Sequence, residues 1–470
     1  MSIMKKSTCL LLCILLACCF CAPVSAAGDI TDEELNTYIQ NEFEKTNIPA
    51  MSVEIVDAGN VLFSKQYGNG ATADTPFILG SISKSFTALA ISQLIEQGEI
   101  DVTQPFCKYL PEANQGSKTT VKQLLNHTSG IHTNMTMEDY KTSDTVQKYE
   151  YANVNYNLLG LIVEHVSGMS YGEYIKTNIF EPLGMTHSYT SIDEAKANGL
   201  IDGYRDYFGF MIADECAYPE NMTSGWMTVS AAYLISTAND MGKYLQFYLG
   251  GNTRILSNES IYNMFHDTTE VTEGYEYGYG WGISKSPDIT MYQHGGNVEN
   301  YTAYMILLPE LGKAVVVLTN ASDYFSADNM VVGLAENIGC KLSGIETIDI
   351  DSGAYMATHI VLDAIMLMIV AAGVLSLVFL KKSFQNRKIS AIRLIGFVLL
   401  HLVLPTLLLL VPNMLGSTLW VGARFAPDLF AVLVFGSSAL YLSGICKIIF
   451  YFRHLRKPAA NQQQTSESET

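Results

Sequence analysis

Three long apolar runs close this chain, and they restrict what it can fold into more than any other feature. Ile360–Leu380, Leu394–Val411 and Leu429–Phe450 are each long enough, as a helix, to cross about 30 Å of hydrocarbon. The connection between the first two carries Lys381, Lys382, Arg387, Lys388 and Arg393 with no acid. The tail after the third carries Arg453, Arg456 and Lys457, whereas the remaining connection offers only Arg424 beside Asp428. Basic connections stay on the cytoplasmic side, so residues from about 27 to 355 are expected outside.

The N-terminus predicts the same side independently. Lys5 and Lys6 precede an apolar, uncharged run from Cys9 to Cys21, and Val24-Ser25-Ala26 supplies small residues for cleavage. A lipoprotein signal through Leu15-Leu16-Ala17-Cys18 is the alternative reading, and it also implies export. The expected organisation is a signal peptide over residues 1–26, a globular domain over 28–350, three transmembrane helices over 359–452 and a polar cytoplasmic tail over 453–470. A net charge of -18 speaks against a nucleic-acid partner, which would need a basic face. Of the nine cysteines, five lie in the first apolar run and Cys446 in the last. Cys107, Cys216 and Cys340 remain, enough for one disulfide and no sign of a metal cluster, so no metal or cofactor is expected.

Within the globular part, Gly80–Gly98 reads as one buried helix with a reactive serine at its mouth. Ile82, Phe86, Leu89, Ile91, Leu94 and Ile95 build a broad apolar face, Gly80 allows a tight entry and Gly98 a stop. Ser81 and Lys84 are three residues apart, which puts a hydroxyl and an amine on one helix face. That spacing suits an acyl-transfer nucleophile with an amine beside it. The four-residue pattern is weak alone, since Ser2 to Lys5 repeats it in the leader.

The rest of the domain mixes both kinds of element. Thr31–Phe43 predicts a helix with a capping box through Glu34, and Met51–Asp57 with Val61–Tyr67 predicts a hairpin. Asn126-His127-Thr128-Ser129-Gly130 reads as a structural turn, and a helix is expected from near Tyr156. Asn198–Thr228 has no period and reads as a long substrate-side loop. A helix over Asn239–Leu249 follows. Tyr277–Ile283, Thr290–His294, Tyr301–Leu308 and Ala314–Leu318 read as strands, the last two as a hairpin, and Asp328–Cys340 as a closing helix. The fold class expected is α+β, with an antiparallel sheet flanked by helices and a helical subdomain, followed by the membrane region.

Ser81-Ile82-Ser83-Lys84, Tyr151-Ala152-Asn153 and His294-Gly295-Gly296 occur in that order, with LLNHTSGI, YNLLG and YGYGWGI around them. Over about 300 residues the chain resembles the serine β-lactamase-like family, the class C β-lactamases with their penicillin-binding, peptidase and esterase relatives. The resemblance implies a β-lactamase-like sheet and an acyl-enzyme on Ser81. Lys84 and Tyr151 would move the proton, Asn153 would bind the substrate amide, and the amides of Ser81 and Asn297 would form the oxyanion hole. His294, Gly295 and Gly296 would line the strand along which substrate lies. The three C-terminal spans are similar to those of exported prodrug-maturing peptidases.

The chain departs from true class C enzymes by His294-Gly295-Gly296 in place of Lys-Thr-Gly and Tyr151-Ala152-Asn153 in place of Tyr-Ser-Asn. A histidine meets a β-lactam carboxylate with less charge than a lysine. The expected function is therefore membrane-anchored serine hydrolysis of small D-configured or N-acylated peptides, amides or esters. A β-lactamase or penicillin-binding activity on β-lactams or cell-wall peptides is the alternative. A module that is acylated once without turnover is the alternative of another class.

Overall fold

A computed structural model describes residues 30–68, 70–113, 116–250, 254–287, 289–323, 327–350, 352–378, 391–414 and 417–455. The expected signal segment, most of the basic connection after the first span and the end of the tail lie outside those residues. The chain divides into two compact units, one ending at Tyr355 and one beginning at Met356.

The globular unit opens with α1 (Asp32–Glu44), where Thr31 and Glu34 form the expected capping box. Strands β1 (Ala50–Asp57) and β2 (Val61–Gly68) pair as the expected hairpin, with Asp57 Oδ1 accepting from the amides of Gly59 and Asn60. A short β3 (Phe77–Ile78) leads into a 3₁₀ turn, Gly80–Ile82, and then α2 (Ser83–Glu96). Next come α3 (Val121–Leu125), α4 (Asn153–Ser167), α5 (Tyr171–Ile175), α6 (Glu181–Leu183) and α7 (Ile192–Ala197). They precede β4 (Gly203–Tyr207), β5 (Phe210–Asp214), α8 (Val229–Ala232), β6 (Ile235–Ser236), α9 (Ala238–Gly250) and α10 (Asn258–His266). Strands β7 (Thr269–Thr272), β8 (Tyr275–Gly278), β9 (Trp281–Lys285) and β10 (Thr290–Val298) follow. The unit ends with β11 (Tyr301–Leu308), β12 (Lys313–Thr319), β13 (Ala321–Ser322) and α11 (Ala327–Leu342).

Eight of these strands make one antiparallel sheet in the order β2-β1-β12-β11-β10-β9-β8-β7. Helices α1 and α11 cover one face through Leu35, Ile39, Leu334 and Ile338, packed on Val53, Ile306 and Val315. Helix α2 is buried on every side, from Ser83 to Leu94, as the hub of the helical layer. The fold is α+β, as the pattern of elements predicted.

Three expectations change. The Tyr277–Ile283 run is two strands, because Tyr279 and Gly280 take left-handed φ of 51° and 76° and turn β8 into β9. The second long helix begins at Asn153, three residues before Tyr156, so Asn153 is its first helical residue. The Asn198–Thr228 segment is not one loop: β4 and β5 form a hairpin there, and β13 pairs with β4 in parallel. Among the described residues, no disulfide joins Cys107, Cys216 and Cys340.

One buried acid gives the domain a pH dependence. Glu54, on β1, points at Gly242 of α9, where a Cβ would come within 2.1 Å of Oε1, and only Ser64 Oγ donates to its other oxygen, at 3.1 Å. Burial pushes its pKa up to about 7, against the Ser64 hydroxyl bond, from an ordinary 4.5. The protonated carboxyl therefore favours the folded state. That contribution is complete below pH 4.5 and is lost as pH rises through about 7, a change of roughly 2–3 kcal/mol. Thermal melts of the full chain in detergent should show Glu54→Gln gaining melting temperature over wild type at pH 8 and matching it near pH 4.5. Equal shifts at both pH values would exclude Glu54 as the source.

The second unit is helical. Its first helix runs Ser352–Val378. The second comprises Ala391–Val398, a π turn at Leu399–Val403 and Leu404–Met414, and the third runs Pro427–Leu455 after a short helix at Leu419–Phe425. The stretches Ala357–Leu375, Ala391–Met414 and Pro427–Arg453 are long and apolar enough to cross a membrane. Polar groups pair between these helices. His359 Nδ1 lies 2.8 Å from Asp428 Oδ2, Lys447 Nζ lies 2.8 Å from His401 Nε2, and Thr406 Oγ1 lies 2.7 Å from Tyr441 Oη. Gly444 lets the second and third helices approach at His401, where a Cβ would stand 2.8 Å from His401 Cβ.

Candidate active site

Ser81 lies in the 3₁₀ turn just ahead of α2, not in the helix itself, and Lys84 lies in the first turn of α2. The lysine side chain is fully buried at 0% exposure. Its Nζ stands 3.0 Å from Ser81 Oγ, 2.8 Å from Asn153 Oδ1 and 2.8 Å from the Ala231 carbonyl of α8. Burial holds the amine well below its ordinary pKa. Asn153 Oδ1 and the carbonyl can only accept, so they take two hydrogens of the amine, and in its neutral form no third is left. The lone pair is then left toward the Ser81 hydroxyl.

Tyr151 completes this group, its ring 4.9 Å from Lys84 Nζ. Burial drives the phenol far above its ordinary pKa, and its hydrogen bond with the Ser81 hydroxyl opposes that rise. Tyr151 is therefore a neutral phenol at rest.

The turn carrying Ser81 is pressed onto β10. Pairing of β10 with β9 ends at Gln293↔Gly282, and pairing with β11 continues through Val298. The strand edge from His294 onward is thus released from β9. Gly80 has φ 56°, and a Cβ on it would sit 2.3 Å from the Asn297 nitrogen. A Cβ on Gly296 would sit 1.9 Å from the Leu79 carbonyl oxygen and 3.1 Å from the Ser81 nitrogen. Only glycines allow this approach, and it brings the Gly80–Ser81 turn against Gly296 and Asn297. Gly295 meets only the Tyr304 ring, at 3.2 Å from a built Cβ.

His294 is buried behind this edge. Its Nδ1 lies 2.6 Å from the Gly295 carbonyl and its Nε2 3.1 Å from Tyr277 Oη. Burial, helped by the Lys84 amine and opposed by the Gly295 carbonyl, lowers its pKa to about 3. The imidazole is neutral near pH 7.

A supporting layer escaped the sequence reading of His127-Thr128-Ser129-Gly130 as a plain turn. His127 has φ 54°, is buried, and its Nδ1 lies 3.2 Å from the Ala152 amide nitrogen and 2.8 Å from Asn155 Nδ2. Ser129 Oγ donates to Asn155 Oδ1 at 2.6 Å. The His127 ring packs 4.5 Å from the Tyr151 ring and 5.0 Å from that of Tyr277. The turn therefore clamps the backbone between Tyr151 and Asn153. A left-handed histidine beside small polar residues was the available signal. The Tyr277-Gly278-Tyr279-Gly280 text is supporting too: a Cβ on Gly280 would lie 2.7 Å from the Lys84 carbonyl group, so the β8–β9 turn buttresses α2 at that lysine.

A Ser–Lys–Tyr group around a buried lysine, on a turn pressed against an antiparallel sheet edge and backed by an all-buried helix, defines a serine β-lactamase and penicillin-binding-protein-like hydrolase fold. The chain belongs to the Beta-lactamase family, whose profile matches residues 35–336. It is similar to Protein flp of Staphylococcus aureus (strain NCTC 8325 / PS 47), at 27% identity over 330 residues, covering 63% of this chain and 64% of that protein. The match thus spans less than two thirds of that curated relative. Among solved structures, an octameric penicillin-binding protein homologue from Pyrococcus abyssi is similar at TM-score 0.61 and 28% identity, covering 67% of this chain and 78% of that one. A D-stereospecific amidohydrolase from Streptomyces sp. shares the fold at TM-score 0.51 and 20% identity, over 62% of this chain and 95% of that one.

Proposed function

We propose that this chain is a membrane-anchored serine hydrolase, facing the outside, that acts through an acyl-enzyme on Ser81. The observation carrying this reading is the Lys84 amine, 3.0 Å from Ser81 Oγ with acceptor-only groups at its other two bonds. In the proposed cycle Lys84 takes the Ser81 proton as Oγ attacks the substrate carbonyl. The oxyanion forms against the amides of Ser81 and Asn297. Tyr151, a phenol at rest, donates its proton to the leaving amine or alcohol and is reprotonated through Lys84, so the carbonyl–leaving-group bond breaks without a free anion. Water then reverses the same proton path and frees Ser81. Asn153 holds Lys84 and meets the substrate amide, while His294, Gly295 and Gly296 line the edge along which substrate extends. The domain, span and tail boundaries expected from sequence are carried into this proposal.

The substrates that fit are small D-configured or N-acylated amides and peptides, and esters. A neutral His294 offers no full positive charge to a β-lactam carboxylate, which disfavours antibiotic hydrolysis as the main activity. The full chain should be assayed against N-acyl-D-amino acid amides, D-alanyl dipeptides, simple esters and a chromogenic cephalosporin. Turnover of the first three classes well above the cephalosporin is expected. Stoichiometric acylation without release from any of them would instead make the domain a capture module. Activity should also fall on the acid side as Lys84 gains a proton, and a kcat flat from pH 5 to 8 would remove Lys84 as base.

A further inference from the structure

We infer that the β4–β5 hairpin is an interfacial element that rests its apolar tip on the lipid surface, where it holds the domain against the bilayer. Its strands read Gly203–Tyr207 and Phe210–Asp214, and Phe208 and Gly209 turn between them with φ of 57° and 79°. Phe210 is 71% exposed and Ile212 49% exposed, two residues apart and so on one face of β5. β5 is an edge strand, and among the described strands it pairs with β4 alone. An edge that presents large apolar side chains to water is a liability unless something covers it.

The way the chain leaves the domain says what covers it. After α11 the polypeptide doubles back along that helix. The Ile348 amide donates to Asn337 Oδ1 at 2.8 Å, and its carbonyl accepts from Asn337 Nδ2 at 2.7 Å. Ile350 then packs on Gly333, where a built Cβ would meet its side chain at 3.2 Å. The chain is therefore pinned to the domain as far as Ile350, and the helix leading to the first span begins at Ser352. From Ser352 to the start of that span at Ala357 is about 8 Å of helix. So short a link limits how far the end of the domain at Ile350 can lie from a bilayer that holds this span.

The returning chain also heads toward the hairpin. At Gly333 the returning chain has just passed the middle of α11 and heads toward its start, which is tied to β13 through Asp328, whose Oδ1 accepts from Ser322 Oγ at 3.4 Å. β13 pairs with β4. Tyr204 and Met211 of the hairpin and Ile345 and Ile350 of the link all pack on the same core cluster. Other exposed apolar residues of the domain lie elsewhere, Val61 and Leu62 on β2 and Tyr262 on α10.

The hairpin has no spare basic charge, since Arg205 is paired with Asp214 at 2.9 Å. Its contact with lipid is therefore apolar and insensitive to salt. The hairpin also stands beside the candidate site: Asn300, just past β10, donates through Nδ2 to the Asp214 carbonyl at 2.6 Å. A hairpin seated on the bilayer would bring Ser81 near substrates that carry an acyl chain in the membrane.

This inference rests on the reading that the three apolar helices lie in a bilayer, and one experiment separates the two. The full chain is reconstituted in phosphatidylcholine vesicles containing a diazirine-acyl phosphatidylcholine, irradiated, digested and mapped. Peptides covering residues 207–213 should carry lipid adducts roughly fivefold or more above the peptide holding Tyr262, at low and high salt alike. Phe210→Ser/Ile212→Ser should lose that excess while the spans label as before. Labelled spans with a hairpin no better than the Tyr262 peptide overturn the inference. Hairpin-to-hairpin crosslinks without lipid adducts overturn it in favour of a second copy as the cover. Unlabelled spans overturn the membrane reading itself, and this inference with it.

Discussion

Replacing Ser81 by alanine is expected to abolish covalent labelling by a fluorophosphonate and to lower kcat by on the order of 10⁴-fold or more, as loss of a nucleophile does elsewhere. The change removes one oxygen from a 3₁₀ turn whose backbone approach to β10 depends on Gly80 and Gly296, so the fold should be kept. Lys84→Ala and Tyr151→Phe should keep the serine and lose proton transfer, at about 10²–10⁴-fold each in kcat. Their effects should not add, because the lysine and tyrosine act on one proton path. Mass spectrometry of the labelled chain and steady-state turnover check all three. Equal labelling of wild type and Ser81→Ala would sink the assignment.

Gly296→Ala is expected to be nearly as damaging, for a geometric reason. Its Cβ would lie 1.9 Å from the Leu79 carbonyl oxygen, a backbone atom that cannot rotate away. Strand β10 stays bonded to β11 through the Gly296↔Ala303 pair, so the turn and the strand must separate instead. That separation spreads the Ser81 and Asn297 amides. Loss of one such donor costs about 10²–10³-fold in kcat, and both would be disturbed here. Gly295→Ala is the matched control, since its Cβ meets only the Tyr304 ring at 3.2 Å and a side chain can shift. A thermal melt near that of wild type with kcat reduced on the order of 10²-fold or more is the expected result for Gly296→Ala. Retention of full turnover would mean that these two amides do not hold the developing charge.

The supporting contacts set how far such single changes can be read. His127 has no hydrogen bond to Ser81 or Lys84 among the described residues, yet it clamps the Ala152 amide, between Tyr151 and Asn153, and Asn155 just after them. Its burial holds its pKa well below the ordinary value, so it serves as a neutral strut. Much of the site's order therefore comes from residues that move no proton.

Local chemistry was legible from the residues alone. The capping box at Thr31 and Glu34, the β1–β2 hairpin and the length of the apolar runs follow from side chains acting on their own neighbours. The order of the three motifs was legible too, because each is written in contiguous residues. What sequence could not supply is convergence. Lys84 meets Asn153 from 69 positions away and the Ala231 carbonyl from 147, and a backbone carbonyl is the same group in every residue. Nor could it supply the lowered pKa values of Lys84 and His294, which come from burial that only the packed sheet and helices create. The β4–β5 hairpin was missed for a related reason. Its pairing with β13, more than a hundred residues later, turns an aperiodic stretch into strands, so there the tertiary structure alone decided the fold.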